Sequence, residues 1–346
     1  MLRRMTTSAT QPTPPGRRAP RAERVLAGTR PGIYRIDCPF GDGGIVHVYY
    51  LDAPEPALID TGVRQSAGEV IGPALAAAGF ALAGVRHIFN THGHWDHMGG
   101  NEAVRGQARQ ARTYASAADR DLFADVEHHV RGYSTYPARL TGQADVLAHQ
   151  AALLRASVGC PTPIDVCAED GQAYSLGGGA ALRAVSTPGH SLGSTSYLLE
   201  GQGILFTGDS VQGLGSRPGQ LPLVFEDSRA YRATILKLAD VPLEALCMGH
   251  WFGGLAPEAG RDPVRRGAAA RAFLEESGEA AKAVEEAMRS TLAANPQAPF
   301  LDVARAALAI VAEPLGVELD ASGLSFRSLA TLHAFYREFT GAPKPV

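Results

Sequence analysis

From about Ile33 onward the chain is built of short apolar runs closed by turn residues, the pattern of β-strands joined by tight loops. Residues 44–51 and 57–59 read as strands, and the second runs directly into Asp60-Thr61-Gly62. Residues 70–79 read as a short helix and 85–90 as a buried strand, followed by a helix near 101–107 and a strand near 111–115. Residues 117–158 change character: they are polar and helical in spacing, with Phe123, His128, His129, Tyr133 and Tyr136 interspersed, which predicts a helical insertion. Strands resume at 172–176, 181–186, 194–199 and 203–207, separated by glycine turns. A helix over 230–238 and a last strand over 243–248 follow. Beyond about Pro257 no strand pattern occurs. Leu301, Ala304, Leu308 and Val311, then Leu329, Leu332, Tyr336 and Phe339, follow helical spacing, so 257–346 is expected to be an all-helical cap whose apolar faces must bury somewhere.

Composition narrows the class. The chain has 346 residues, 45% hydrophobic and 19% charged, enough for a full core in one large domain with an appendage. Residues 1–24 hold six arginines, one acid (Glu23) and no periodic apolar face, and are expected to be a disordered tail before a main domain over 25–256. No apolar run approaches the roughly 20 residues that cross a bilayer, so no membrane partner is expected. A net charge of −3 suits a small-molecule substrate better than a nucleic-acid backbone. Four scattered cysteines without a C-x-x-C pair, and no secretory apolar stretch, point to reduced thiols in a cytoplasm. Only three of the 32 basic residues are lysine, as the coding bias of a GC-rich bacterial genome produces.

The segment after the strand at 85–90 carries the chemistry. His92, His94, Asp96 and His97 lie within six residues, and burying such groups is costly unless they are paired or hold a cation. His92 and His94 alternate toward one side of the loop, while Asp96 and His97 turn toward an adjacent position. Imidazole and carboxylate together are the ligand set of Zn, Fe or Mn. Three further turns, each just after an apolar strand, add His190, Asp209 and His250.

In this order and context the motifs resemble the metallo-β-lactamase superfamily, over roughly residues 30–255. The resemblance implies an α/β (α+β) fold, the αββα metallo-β-lactamase sandwich, here with a C-terminal all-helical extension. It also implies two divalent metal ions, zinc first among them. His92, His94 and His190 would hold one ion, Asp96, His97 and His250 the other, and Asp209 would bridge them. Asp60 matches an aspartate that supports the metal loop from behind. Asp96 would in addition orient a metal-bound hydroxide or pass its proton to the leaving group. The implied reaction is attack of that hydroxide on a carbonyl. With a bridging aspartate and no export signal, the chain looks more like glyoxalase II, lactone hydrolases and thioesterases than true β-lactamases, and a thioester or lactone is the leading substrate. The alternatives within the fold are a mononuclear-iron persulfide dioxygenase, a nuclease and a metal-binding regulatory protein. Trp251, Phe252, Tyr133, Tyr136 and Phe123 are candidates to line an acyl pocket, with packing the competing role for each. His128 and His129 are expected on the surface of the insertion, where Asp119, Asp121, Asp125 and Glu127 offset its arginines. A homodimer through the helical tail and a monomer with a self-packed tail both fit.

Overall fold

In the strand Gly44–Asp52 the side chains alternate, Tyr49 and Leu51 to one side, Val46, Val48 and Tyr50 to the other, and both sides are buried. A strand covered on both faces needs a layer above and below it, and that demand sets the architecture. The computed structural model describes residues 19–41, 43–133, 135–255 and 262–344. Among these, one sheet has seven strands side by side in chain order: β1 (Ala22–Val25), β2 (Gly32–Phe40), β3 (Gly44–Asp52), β4 (Ala57–Ile59), β5 (His87–Phe89), β6 (Arg112–Ala115) and β7 (Val166–Cys167). β1 to β4 pair antiparallel and β4 to β7 parallel. The second sheet runs β8 (Ala173–Ser175), β9 (Ala181–Ser186), β10 (Thr195–Leu199), β11 (Ile204–Gly208), β12 (Ala245–Met248) and β13 (Val264–Arg266), antiparallel except between β11 and β12.

Leu51, Ile59, Phe89 and Tyr114 of the first sheet meet Leu182, Tyr197, Phe206 and Cys247 of the second in the central core. Outside the first sheet, Leu75 of α1 (Gly72–Ala77) packs in one cluster with Val48, Leu58 and Ile88. The helices α2 (Trp95–Met98) and α3 (Asn101–Gln107) follow β5 directly. The 117–158 segment forms α4 (Arg120–Ala124), α5 (Val126–Gly132), α6 (Tyr136–Thr141) and α7 (Ala144–Ser157). Outside the second sheet, α8 (Ser228–Ala239) and the first half of α9 (Ala268–Ala294) bury Ile235, Leu238, Phe273 and Leu274 against Leu205 and Leu246. The second half of α9 forms a further core with α10 (Phe300–Leu315) and α11 (Leu329–Thr340), centred on Met288, Leu308, Leu332 and Phe335. The chain thus has the layered αββα arrangement with helices at its C-terminal end. None of the described helices is long and apolar enough to cross a membrane.

Three strands depart from the sequence reading. β1 begins inside the segment expected to be tail and crosses its end: Ala22 to Val25 pair with Ile36 to Ile33, and Glu23 forms an ion pair with Arg35 at 2.8 Å. Its partner across the sheet, rather than its own arginine-rich composition, decides its conformation. β13 interrupts the segment expected to be helical throughout, as a three-residue edge strand on β12. β7 has two residues. Both are too short to carry a period. Residues 1–18 of the expected tail, and the boundary expected near 256, lie outside the described residues.

Leu308 is fully buried between the C-terminal helices. Leu308→Ala should lower stability by about 2–5 kcal/mol through lost burial and the cavity left behind. A denaturant midpoint indistinguishable from the parent protein would contradict this packing.

Candidate metal centre

All seven candidate ligands converge at one end of the sandwich. His92 and His94 follow β5, Asp96 and His97 lie on the four-residue α2, and His190, Asp209 and His250 follow β9, β11 and β12. Their ligand atoms form three overlapping groups within 4.8 Å: His92, His94 and His190; His92, His97 and Asp209; and Asp96, His97 and His250. Asp209 stands between the groups, with its oxygens 3.4 Å from His97 Nε2 and 3.5 Å from Nε2 of both His190 and His250. All seven residues are buried.

The geometry fits bound cations. His94 Nδ1 and His190 Nε2 face each other at 2.8 Å, and His97 Nε2 and His250 Nε2 at 3.2 Å. Such nitrogen pairs repel unless a proton or a metal lies between them. The buried atoms His92 Nε2 and Asp209 Oδ1 have no hydrogen-bond partner, an arrangement rare in a fold that does not use them as ligands. The far side of the rings is held by the protein. Asp60 Oδ2 accepts from His97 Nδ1 at 2.8 Å, the Leu223 carbonyl from His190 Nδ1 at 2.5 Å, and the Ile45 carbonyl from His250 Nδ1 at 2.6 Å. Such outer partners fix ring orientation and leave the other nitrogen to a metal.

Asp60 organises the first loop. It adopts a left-handed backbone (φ 61°) directly after β4, which costs a non-glycine residue about 1–2 kcal/mol. The conformation lets one carboxylate take Thr91 N, Thr91 Oγ1 and His97 Nδ1, all at 2.8 Å. Two glycines allow the loops to close on one another. A Cβ at Gly208 (φ 50°) would lie 2.2 Å from Thr91 Oγ1, and one at Gly249 would lie 2.7 Å from both Asp209 Oδ1 and His97 Cε1.

Charge is distributed unevenly over the cluster. Burial and the neighbouring imidazoles hold His92 and His94 well below the usual histidine range, in the neutral form that binds metal. Burial works the same way on His97, but Asp209, Asp60 and Asp96 outweigh it and lift its pKa to about 10. Burial opposes ionisation of Asp96, yet His97 and His250 bring it down to about 2.

Above the cluster a cavity of about 720 Å³ opens between the β2–β3 hairpin, α7, the 216–225 segment and the turn before α11. Trp251 and Tyr133 line it, and the Tyr133 ring packs on His94 with centroids 4.3 Å apart. The other aromatic candidates do not reach it. Phe252 is buried behind His250, Phe123 belongs to a small core under the insertion, and the Tyr136 hydroxyl bonds Nδ1 of His333 on α11. These three pack the insertion and cap onto the sandwich. His129, expected on the surface, is fully buried with Nε2 on the Leu122 carbonyl at 2.9 Å.

Asp119 departs furthest from expectation. Read from sequence as one of several acids that offset the insertion's arginines, it is buried between two ligand loops. It accepts Gly93 N at 2.8 Å, from between His92 and His94, and Gly193 N and Ser191 Oγ at 2.7 Å, from just after His190. Burial pushes its pKa up against these donors. Gln212 is a second residue without a sequence signal: its amide touches His190 Nδ1 and the Asp209 carbonyl and takes Leu223 N. Phe225, also missed, stacks edge-on against both His94 and His190.

Two outcomes follow from this geometry. Asp119→Ala should weaken metal retention about 10- to 100-fold, read as metal content after dialysis against graded chelator; unchanged retention would show that the loops hold without it. Because metal-free His97 keeps its proton up to about pH 10, metal uptake at neutral pH must displace that proton, and affinity must fall as pH falls. A metal titration in weak buffer with a pH indicator should register proton release, and a titration with none would contradict the assignment.

Known proteins resemble the chain in sequence and in fold. The family model described as the metallo-beta-lactamase superfamily matches residues 41–250. A protein named a probable metallo-hydrolase, YflN of Bacillus subtilis (strain 168), is 28% identical over 227 residues, 60% of this chain and 80% of that one. A hydroxyacylglutathione hydrolase of Methylococcus capsulatus is 30% identical over 172 residues, spanning 49% of each chain. Among solved structures, a metallo-beta-lactamase family protein of Thermus thermophilus superposes with a TM-score of 0.61 at 24% identity, covering 90% of this chain and 95% of that one, a likeness of fold. On the match of its family model over residues 41–250, the chain belongs to the metallo-beta-lactamase superfamily.

Proposed function

We propose that the protein hydrolyses a thioester, or failing that a lactone or other ester, at a site holding two divalent ions, zinc by preference. The observation that carries this reading is the convergence of five imidazoles and two carboxylates in three overlapping groups of ligand atoms, each within 4.8 Å. His92, His94 and His190 would hold one ion and Asp96, His97 and His250 the other, with Asp209 standing between the two. Two ions bound there supply a hydroxide at neutral pH and polarise the carbonyl.

The remaining work falls to the chain. Asp96, kept ionised by His97 and His250 and on the cavity wall, is placed to orient the nucleophile. Tyr133 sets its ring beside His94 on the cavity wall, and burial and a hydrogen bond to Glu226 keep its phenol un-ionised. Trp251, Phe40 and Leu223 give the cavity an apolar lining suited to an acyl chain. A cavity of about 720 Å³ takes a small molecule. The relative from Methylococcus capsulatus is by its name a hydrolase of an acylated thiol, which favours a thioester over a lactone.

His94→Ala or Asp209→Ala should lower thioester turnover by at least about 10²–10³-fold while circular dichroism shows the chain still folded. Retained turnover in either variant would sink the mechanism. Metal analysis showing one iron per chain, with oxygen uptake and no hydrolysis, would redirect the reading to redox chemistry.

A further inference from the structure

The outer helical layer carries a second cavity of about 660 Å³, which runs between α8 and α9. Leu236, Ala239, Val241, Leu243 and Leu274 give it an apolar floor, and none of its lining residues lines the cavity over the candidate metal ligands. Leu236, on the α8 side, is 72% exposed. One exposed leucine is ordinary, but a leucine on the lip of an apolar groove extends that groove into a continuous patch.

The α9 side of the groove is charged in a definite order. Arg271, Glu275, Glu279, Lys282 and Glu286 recur every three or four residues along one exposed stripe of the helix. Among the described residues Arg271 and Glu275 have no ion-pair partner, while Lys282 and Glu286 meet in a solvent-exposed pair at 3.7 Å. Exposed pairs of that kind contribute little and exchange readily for others. Turning the stripe end for end about a point between Gly278 and Glu279 sets Arg271 against Glu286 and Glu275 against Lys282. A second α9 lying antiparallel therefore meets opposite charges, and each pair is repeated by the two-fold axis. A parallel second α9 would meet its own kind at every position. The groove lining as a whole is balanced as well, with three basic and three acidic residues, which matches a copy of itself better than a strongly charged partner.

Gly278, at the middle of the stripe, is an independent sign. Glycine weakens a helix interior, and nothing within the chain demands it here: a Cβ at Gly278 would meet Ile235 Cγ2 at an ordinary 3.5 Å. Where two helices cross, it lets the backbones approach closely.

We propose that this face is an isologous dimer interface. A second copy of the chain lays its α9 antiparallel along the groove, with the two-fold axis between Gly278 and Glu279, and covers Leu236 of both copies. The contact includes no candidate metal ligand, so it stands apart from the reaction at the His/Asp cluster.

The test is sedimentation velocity of the full chain from about 1 to 100 µM. The expected result is a reversible dimer. Lys282→Glu and Glu275→Lys should each raise its dissociation constant about 10- to 100-fold, because each sets like charges together across the axis. Combining both substitutions in one chain, or mixing the two single variants, sets opposite charges together again and should restore the dimer. Leu236→Gln should weaken it without touching the charges, with circular dichroism confirming that every variant is folded. A chain that stays monomeric over the whole range would overturn the inference and leave the groove to another occupant. A dimer indifferent to the charge substitutions or to Leu236→Gln would overturn it by placing the contact elsewhere. Weakening in both single variants without recovery in the double variant or the mixture would show damage to α9 itself, and would overturn it equally.

Discussion

Five imidazoles and two carboxylates buried against one another are the constraint around which the molecule is arranged. Nitrogens that face each other near 3 Å cannot all be neutral and unoccupied, so the cluster is stable only with protons or cations inside it. Without metal, His97 keeps a proton because three carboxylates surround it. The cluster also needs rigid support from outside, and it receives it from three directions. Asp60 supports it from the end of β4, Ile45 from the β2–β3 hairpin, and Leu223 from the segment beneath the helical cap.

The same support explains the placement of the outer layers. α11 does more than bury Leu332 and Phe335. Its Thr331 bonds the Pro222 carbonyl, and Arg337 donates to the carbonyls of Phe225 and Glu226 at 2.9 and 2.6 Å. Those residues flank Leu223 and bring Phe225 against His94 and His190. Lys344 pairs with Glu226 and lies over the Tyr133 ring at 4.4 Å, joining the residues after α11 to the insertion. The cap is therefore part of the wall of the site, coupled to the sandwich through a short chain of hydrogen bonds.

The insertion contributes on the opposite side. Asp119, at its start, ties the His92–His94 loop to the His190 loop, and α7 closes the cavity with His149, Gln150 and Leu153. The cavity is thus bounded by the insertion and the turn before α11 together with the β2–β3 hairpin and the 216–225 segment, while the candidate ligands come from the loops and the short α2 that follow the sandwich strands.

What the sequence determined alone was whatever a short window can encode. Alternating apolar runs with both faces buried gave most of the strands, and four ligating residues within six positions, with His190, Asp209 and His250 each at a strand end, gave the cluster. Asp60 was legible by itself only as a turn residue closing a strand; its support of the metal loop was implied by the family resemblance. The tertiary structure decided what depends on distant partners. β1 and β13 are strands only because β2 and β12 lie beside them. Tyr133 and Tyr136 stand three residues apart in one polar helical stretch, yet one reaches His94 and the other His333. Asp119 looks in sequence like its acidic neighbours, yet it alone of them is buried between two ligand loops. Ligand chemistry is written in residue type and spacing; the roles of supporting and selecting residues follow from which surfaces the fold brings together.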